Sequence, residues 1–298
     1  MKIKVAKHIG FCFGVRRAVN IAQDALSNEK KLYCLGSLIH NPQEVERLSK
    51  KGLTIVGSIK DIKKGATLII RSHGLLPGLI NEAKKRGIKL IDATCPFVKK
   101  AQNICKMLSE QGFDVVVIGD RHHPEVKALV GFANNRATVI EDLRDLKRFT
   151  PRNKKIGILA QTTQSIDNFQ DLLGALLKKS GNEFIFDEIR IFNTICGDSS
   201  ARQASAKKIS FICDGMLVIG GKNSANSQRL FNICRKNVAN TYHIEAAGDI
   251  NPKWFRNTGC IGVVSGASTP DWIINDVTRT LNKNKKSKIR RIKTQHVR

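Results

Sequence analysis

Short apolar runs rich in valine and isoleucine alternate along the chain with segments in which apolar residues return every three or four positions. The short runs predict buried β-strands, and the longer spacing predicts helices with one buried face. In GVRRAVNIAQDALSN, the apolar positions of one helical face are Val15, Ala18, Val19, Ala22, Ala25 and Leu26. Strands that alternate with helices in this way are typical of an α/β fold with parallel sheets covered by helices on both faces.

Three of the strand-like stretches end in a cysteine. The stretches IKVAKHIGFC, IKLIDATC and IRIFNTIC lead into Cys12, Cys95 and Cys196, and the gaps between these cysteines are the size of a domain. We therefore predict three similar α/β units that each deliver one cysteine from the end of a strand. The predicted domain ranges are 1–95, 96–193 and 194–282, followed by a basic, flexible tail at 283–298.

The second of these cysteines stands in KLIDATCPFVKK, directly before a proline and a basic segment of helical spacing. Pro96 suits the first turn of a helix, where no backbone donor is needed. A thiolate at the start of that helix is stabilised by the helix dipole and by basic neighbours. Cys95 is therefore predicted to begin a helix and to present a thiolate there.

Five other strand-like runs end in polar residues: LIIRSHG, VVVIGDRHHPE, IGILAQTTQ, MLVIGGKNSAN and IGVVSGAST. In parallel α/β sheets, ligands lie beyond the carboxyl ends of the strands, so these residues predict a shared polar cavity. The alternative for any single run is a turn or a helix cap, which is the commonest reason for serine, threonine and asparagine in such places.

Composition narrows the class of protein. The chain has 298 residues, 41% of them hydrophobic, and no apolar run of it approaches the length of a membrane span. The amino terminus, MKIKVAKHIGFC, lacks the apolar stretch of a signal peptide. We therefore expect a soluble cytoplasmic protein. In that setting the eight cysteines indicate reduced thiols or metal ligands and not a disulfide framework.

The net charge of +26 has two interpretations. A lysine-rich surface can simply be solvated, or the charge can attract an anionic partner such as nucleic acid, an acidic protein or a phosphorylated substrate. A basic nucleic-acid-binding protein is the leading alternative function. The chain shows no recognisable nucleic-acid motif and has only 6% aromatic residues for base stacking, which argues against that alternative.

The spacing of the three strand-end cysteines limits what they can bind. Zinc sites usually show paired cysteines, and the ferredoxins show compact cysteine runs; neither pattern occurs here. Three isolated ligands suit an iron–sulfur cluster in which one iron lacks a protein ligand and can bind substrate. The alternatives are ordinary buried thiols or a thiol redox protein that uses Cys95. Buried thiols remain the interpretation for the other five: Cys34, Cys105, Cys213, Cys234 and Cys260.

Nine motifs, in order along the chain, are GFCFGVRRA, HNPQEV, RSHG, DATCP, HHPEV, QTT, NTIC, GGKNSAN and SGASTPD. From Lys4 to about Leu281 they resemble the motif set of the 4-hydroxy-3-methylbut-2-enyl diphosphate reductases, which complete the methylerythritol phosphate route to isoprenoids. The resemblance implies a trefoil of three α/β domains around a central 4Fe-4S cluster with three cysteine ligands and one open iron. It also implies two-electron reductive dehydroxylation of an allylic diphosphate to isopentenyl and dimethylallyl diphosphate.

The same resemblance implies a role for individual residues. The cluster ligands are Cys12, Cys95 and Cys196. Glu125 is the proton source, and Thr162 is a hydroxyl relay that also contacts substrate. The other residues that bind substrate are His40, His73, His123, Ser224, Asn226 and Ser268. One departure concerns the diphosphate site, because Ala225 stands where many members of the family have a second serine.

The source of electrons follows from what the chain lacks. No GxGxxG dinucleotide fingerprint occurs in a strand-to-helix context. We therefore expect an acidic electron-donor protein such as ferredoxin or flavodoxin, attracted by the basic surface in a salt-dependent way.

Overall fold

The computed structural model describes residues 1–29, 31–182, 185–255 and 258–295, and for residues 181–182 and 284–295 the backbone only. The described residues form three four-stranded sheets in which every paired strand is parallel. Helices connect successive strands. The predicted class, α/β with parallel sheets, is confirmed.

The strands are β1 (Lys2–Val5), β2 (Leu32–Leu35), β3 (Leu53–Val56), β4 (Thr67–Ile70), β5 (Lys89–Asp92), β6 (Asp114–Ile118), β7 (Thr138–Ile140), β8 (Lys155–Ala160), β9 (Glu188–Phe192), β10 (Gly215–Ile219), β11 (Thr241–Ile244) and β12 (Cys260–Ser265). The helices are α1 (Phe13–Asn28), α2 (Pro42–Ser49), α3 (Pro77–Lys85), α4 (Pro96–Glu110), α5 (Pro124–Phe132), α6 (Leu143–Arg148), α7 (Ile166–Asn182), α8 (Gly197–Ser210), α9 (Ala225–Asn237) and α10 (Asp271–Gln295).

The three sheets share one strand order. They run β3-β2-β4-β5, β7-β6-β8-β9 and β11-β10-β12-β1. In the first two sheets the chain leaves the first central strand toward one edge and later leaves the second central strand toward the other edge. In the third sheet β10 is followed by the edge strand β11, and the other edge strand, β1, comes from the start of the chain. The two central strands therefore enclose a topological switch point, where an open parallel sheet forms a crevice at its carboxyl end. The edge strand of each sheet (β5, β9 or β1) leads into a cysteine, which is Cys95, Cys196 or Cys12.

The amino-terminal strand, β1, belongs to the third sheet. β1 pairs with β12 in the register Lys2↔Cys260, so it completes the sheet of residues 215–265 and not the sheet of residues 32–92. The third sheet thus obtains its fourth strand, and the cysteine after it, from the opposite end of the chain. The domain ranges 1–95, 96–193 and 194–282 stay a prediction.

The central strands are mostly apolar because helices cover the faces of each sheet. Every residue of β4, β6 and β10 is buried. Leu108 of α4 is fully buried against β8, where a Cβ on Gly157 would lie 2.6 Å from the Leu108 methyl carbons. Glycine is therefore required at that point of the strand. Burial of one leucine side chain contributes about 1.5–3 kcal/mol.

Contacts divide the chain into two compact units. The terminal unit contains Met1–Cys12, His40–Pro42 and Ala201–Arg298, and the central unit contains Phe13–Ile39 and Gln43–Ser200. The side chains of the predicted tail, 283–298, lie outside the described residues after position 283, and its flexibility stays a prediction. Within the described part of the chain, no helix has the length and apolar character that a membrane crossing requires.

Candidate active site

A buried acid lies beside a buried hydroxyl in the central unit. Glu125 is the second residue of α5, and Thr162 follows the end of β8. The backbone N–H of Thr162 donates to Glu125 Oε1 at 2.6 Å, and Thr162 Oγ1 donates to Glu125 Oε2 at 2.8 Å. Glu125 is 1% exposed and Thr162 is 4% exposed. The geometry orients both carboxyl oxygens and connects one of them to a hydroxyl, which can donate and accept a proton.

Two imidazoles adjoin this pair. His123 is the N-cap of α5, and its Nδ1 accepts from the backbone N–H of Glu125 at 3.2 Å. Since Nδ1 accepts, Nε2 is the ring nitrogen that carries the proton in the neutral form. The ring of His73 meets that of His123 edge-on, with centroids 5.3 Å apart. The local sequence explains the placement of His123, because Pro124 begins the helix immediately after it.

Cys95 is the N-cap of α4, with Pro96 in the first turn as predicted. Its backbone N–H donates to the carbonyl of Ser72 at 2.9 Å. Burial raises the pKa of the Cys95 thiol, and the Glu125 carboxylate adds to the rise, whereas the N–H groups at the start of α4 and the Arg17 guanidinium lower it. The net direction is upward, so the helix and the basic neighbour do not outweigh burial. A bound metal ion supplies the missing positive charge, since thiolate ligands must be deprotonated.

Cys196 is linked to the acid through the same threonine. The backbone N–H of Cys196 donates to the carbonyl of Thr162 at 2.9 Å, and the N–H of Ser199 donates to Cys196 Sγ at 3.3 Å. This cysteine directly precedes α8. Thr162 therefore contacts Glu125 through its side chain and Cys196 through its backbone.

The terminal unit brings together a second group of the predicted residues. Cys12 follows β1, and its backbone N–H donates to the carbonyl of Ala267 at 2.9 Å. The next residue, Ser268, donates its hydroxyl to the carbonyl of His40 at 2.8 Å. A Cβ on Gly221 would lie 2.7 Å from that same carbonyl oxygen, so only glycine permits this close approach of two backbone segments.

The start of α9 presents hydrogen-bonding groups at the end of β10. Ser224 is the N-cap, and its hydroxyl accepts from the backbone N–H of Ser227 at 3.3 Å. Asn226 is 4% exposed, and neither its Oδ1 nor its Nδ2 has a hydrogen-bond partner among the described residues. A buried polar group without a partner costs about 1–3 kcal/mol, so this carboxamide is suited to meet a ligand. Ala225 lies between the two and offers no hydroxyl.

The residues predicted from the sequence thus fall into two groups. In the central unit, hydrogen bonds and a ring contact connect His73, His123, Glu125, Thr162 and Cys196, and Cys95 interacts electrostatically with Glu125. In the terminal unit, Ser268 bonds to His40, Cys12 bonds to the neighbouring Ala267, and Ser224 and Asn226 stand at the start of α9. The convergence of all three cysteines stays a prediction.

Two supporting residues were not singled out from the sequence. Ser72 accepts from the N–H of Cys95 through its carbonyl, and its hydroxyl donates to the Leu38 carbonyl at 3.1 Å. Gly14 adjoins Cys95, because a Cβ on it would lie 2.5 Å from Cys95 Sγ. Both lie inside quoted motifs, Ser72 in RSHG and Gly14 in GFCFGVRRA, and that membership was the available signal.

The cysteines fit an iron–sulfur centre. All eight are free, and the three at strand ends offer the soft sulfur donors that such clusters use. Backbone N–H groups point at Cys95 and Cys196, and the lack of a side chain on Gly14 allows Cys95 Sγ to approach its backbone closely. The parallel sheets and this donor set are those of an α/β oxidoreductase of the iron–sulfur class.

The chain belongs to the LytB protein family, whose family model matches residues 3–282. It is 44% identical over 289 residues to a 4-hydroxy-3-methylbut-2-enyl diphosphate reductase of Geobacter sp. (strain M21), covering 97% of this chain and 100% of that protein. It is 45% identical over 277 residues to a reductase of the same name from Geobacter metallireducens, covering 93% and 95% of the two chains.

Solved structures agree with these matches. A structure of (E)-4-hydroxy-3-methyl-but-2-enyl diphosphate reductase, described as the terminal enzyme of the non-mevalonate pathway, matches with a TM-score of 0.67 at 41% identity and covers 95% of this chain and 100% of that chain. The E-1-hydroxy-2-methyl-but-2-enyl-4-diphosphate reductase from Plasmodium falciparum matches with a TM-score of 0.86 at 27% identity, covering 94% and 87%. The family resemblance inferred from the motifs is confirmed.

Proposed function

We propose that this chain reduces 4-hydroxy-3-methylbut-2-enyl diphosphate to isopentenyl and dimethylallyl diphosphate. The observation that carries the proposal is the buried pair of Glu125 and Thr162, which contacts Cys196 directly and lies within electrostatic reach of Cys95. An acid and a relay beside two thiolate ligands suit a reaction that needs electrons and protons together. Relatives that this chain matches over 95–100% of their length carry the corresponding name.

The cofactor is one 4Fe-4S cluster held by Cys12, Cys95 and Cys196, with one iron open. When bound, the cluster supplies electrons one at a time to the substrate. The chain's own residues bind and orient the diphosphate, exclude water and deliver protons. The overall reaction consumes two electrons and two protons and releases the allylic hydroxyl as water.

Glu125 delivers the proton that the departing hydroxyl requires. A carboxyl group held at 1% exposure is shielded from bulk water, and general acid catalysis of this kind contributes about 10²–10⁴-fold to the rate. Thr162 Oγ1 lies 2.8 Å from Glu125 Oε2, so it can pass the proton from the carboxyl group to the substrate. The second proton reaches carbon at either end of the allyl system, which explains two isomeric products.

The diphosphate binds through neutral and charged donors and without a metal of its own. His40, His73 and His123 supply imidazoles, and Ser224, Asn226 and Ser268 supply hydroxyl and amide groups. The unpartnered carboxamide of Asn226 stands at the amino terminus of α9, where the helix dipole favours an anion. Ala225 removes one hydroxyl from this group of donors, so we expect a weaker grip on the diphosphate.

Electrons come from an acidic carrier protein such as ferredoxin or flavodoxin, and the reaction takes place in the cytoplasm. Eight free cysteines and an iron–sulfur cofactor suit a reducing compartment. The +26 net charge favours rapid association with an acidic carrier.

The test uses anaerobically purified holoprotein with the hydroxylated diphosphate and reduced methyl viologen as electron donor. We expect both isomers as products, and iron and sulfide near four per chain. Cys95→Ala should lose the cluster and the activity. Cys105→Ala is the matched control, because Cys105 is a fully buried thiol of the same helix. Absence of turnover in cluster-loaded wild type would overturn the proposed function.

A further inference from the structure

A groove of about 730 Å³ runs along the solvent face of α4 in the central unit. Its lining includes one stripe of that helix at helical spacing together with a residue of α1: Arg17, Pro96, Lys99, Lys100, Ile104 and Met107. We call it the α4 groove. Ile104 and Met107 contribute apolar surface to the groove, and the basic side chains of Arg17, Lys99 and Lys100 also line it.

The charge of the α4 groove is one-sided. Neither α1 nor α4 has an acidic residue in its first turn. The acidic residue that lines the groove, Asp92, forms an ion pair with Lys99 at 3.0 Å. One N–H group of the Arg17 guanidinium donates to the carbonyl of Thr94 at 3.2 Å, which holds this side chain in place. An anionic surface therefore meets fixed positive charge here.

Two exposed aromatic side chains belong to the same two helices, α1 and α4. Phe97, the second residue of α4, is 46% exposed. Phe13 is 63% exposed and precedes Gly14, which adjoins Cys95. Exposed apolar residues bordered by charges are typical of protein interaction sites. Lysines that are merely solvated do not need aromatic neighbours, so this combination separates the groove from the generally basic surface.

We propose that the α4 groove is the docking surface for an acidic one-electron carrier protein. The proposal rests on the proposed function, because that reduction consumes electrons and the sequence shows no dinucleotide fingerprint that would supply them from a nicotinamide. Pro96 lines the groove and is bonded to Cys95, so a carrier seated there lies next to a residue that adjoins a proposed cluster ligand. Electron transfer slows steeply with distance, which favours this location over remote basic patches.

The test reverses two charges in the groove. Lys99→Glu combined with Lys100→Glu should raise the KM for a reduced plant-type 2Fe-2S ferredoxin by about tenfold or more at low salt, mainly through slower association. Turnover with reduced methyl viologen should stay within about twofold, because a small donor does not need the docking surface. The matched control is Lys63→Glu combined with Lys64→Glu, two exposed lysines elsewhere in the central unit.

A binding measurement separates docking from catalysis. Titration of the oxidised ferredoxin into holoprotein gives a Kd that does not depend on turnover. We expect the Kd to rise in the groove variant and to lose most of its salt dependence. An unchanged Kd in the groove variant, or an equal change in the control variant, would refute the docking surface. If methyl viologen supports no turnover in wild type, the proposed function fails while the Kd still tests docking.

A separate observation in the terminal unit concerns two cysteines outside the cofactor site. Cys213 Sγ and Cys260 Sγ lie 3.0 Å apart. The backbone around them is fixed, because Asp214 N–H donates to the Cys260 carbonyl at 3.0 Å and Asp214 Oδ2 accepts from Cys260 N–H at 3.0 Å. Adjacent parallel strands hold this geometry, since β10 pairs with β12.

We infer that Cys213 and Cys260 form a reversible disulfide by exchange with a low-molecular-weight disulfide such as oxidised glutathione. Cys260 is partly exposed and Cys213 is 7% exposed, so Cys260 reacts first. Its thiolate attacks one glutathione sulfur and expels the other as a thiol. Cys213 then attacks Cys260 Sγ and releases the second glutathione. Two protein thiols are oxidised, one disulfide is reduced, and both protons end on the glutathione thiols.

The pKa of Cys213 is consistent with that order. The pKa of Cys213 is raised to about 12, chiefly by burial, with smaller contributions from the hydrogen bond to Cys260 and from the charge of Cys260. A Cys260 sulfur held in a mixed disulfide is uncharged, so part of this rise disappears when Cys213 must react.

The test incubates holoprotein anaerobically in glutathione buffers of increasing oxidised fraction, then quenches with acid, alkylates and digests with trypsin. Fragments 209–222 and 257–279 each contain one of the two cysteines and no other. We expect a linked pair two hydrogens lighter than the separate fragments, with iron content unchanged and no link in Cys260→Ser. A persistent glutathione adduct on Cys260, or two alkylated thiols at every ratio, would overturn the inference.

Discussion

Removal of the Thr162 hydroxyl tests the proposed relay most directly. Thr162→Val keeps a β-branched side chain of similar size and deletes the donor that lies 2.8 Å from Glu125 Oε2. The backbone contact to Oε1, at 2.6 Å, stays in place. Leaving one buried hydrogen-bond partner unsatisfied costs about 1–3 kcal/mol, so the variant should lose stability in that range and still fold. Turnover should fall about 10²–10⁴-fold because proton delivery is interrupted.

Two further variants separate the hydroxyl from packing and from the carboxyl proton. Thr162→Ser keeps the hydroxyl and loses one methyl group, worth about 0.8 kcal/mol, so its activity should stay within about tenfold of wild type. Glu125→Gln is nearly isosteric. Its amide oxygen can accept from the Thr162 N–H, and its amide NH₂ can donate to the hydroxyl, so stability changes little. It should nevertheless lose about 10²–10⁴-fold in turnover, since no acidic proton remains.

The assay is single-turnover product formation with saturating substrate and excess reduced methyl viologen, so that electron supply does not limit the rate. Cluster absorbance and iron content must match those of wild type in every variant, and urea denaturation gives the change in the free energy of unfolding. The reasoning fails if Glu125→Gln turns over within threefold of wild type. Equal losses in Thr162→Ser and Thr162→Val would place the effect in packing and not in the hydroxyl.

Three further variants test the surroundings of the site. Gly14→Ala places a Cβ 2.5 Å from Cys95 Sγ and should therefore lower the iron content of the protein. The control is Gly174→Ala, where a Cβ meets nothing within 4 Å, and its iron content should stay well above that of Gly14→Ala. Alanine stabilises either helix by about 1 kcal/mol relative to glycine, so helix propensity does not explain the difference. Ala225→Ser should lower the substrate KM by about tenfold through one added hydrogen bond to a charged group; an unchanged KM refutes this. Burial lowers the pKa of His243, so below about pH 6.5 the unfolded chain binds more protons than the folded protein. The free energy of unfolding should therefore decrease as the pH is lowered below that value, and it should decrease less in His243→Gln.

The sequence predicted the local features of the site well. Pro96 after Cys95 and Pro124 after His123 place each of these residues at a helix start, and the structure has both as N-caps. The reason is local, because proline fixes its own backbone angle and needs no donor in the first turn. Periodicity likewise predicted the buried face of α1, where Ala18 and Ala22 are fully buried.

The sequence did not predict which residues far apart along the chain lie in contact. The sequence shows Glu125 and Thr162 as separate motif residues, and only the pairing of β6 with β8 brings their loops together. Cys213 and Cys260 were interpreted as independent core thiols, yet the pairing of β10 with β12 places their sulfurs in contact. The sequence correctly predicted that the helix start and basic neighbours lower the pKa of Cys95. It did not predict the burial that outweighs them and raises the pKa, because burial depends on tertiary packing.

The sequence by itself determined the α/β class, the helix starts and the residue types available for chemistry, because these depend on neighbours within a few positions along the chain. The tertiary structure decided which strand completes each sheet, as in β1 joining β12 from the far end of the chain. It also decided which side chains share a buried space. Strand pairing depends on the burial of whole sheet faces and on backbone hydrogen bonds between segments that are far apart in the sequence. The combined free energy of these interactions cannot be predicted from a local sequence pattern.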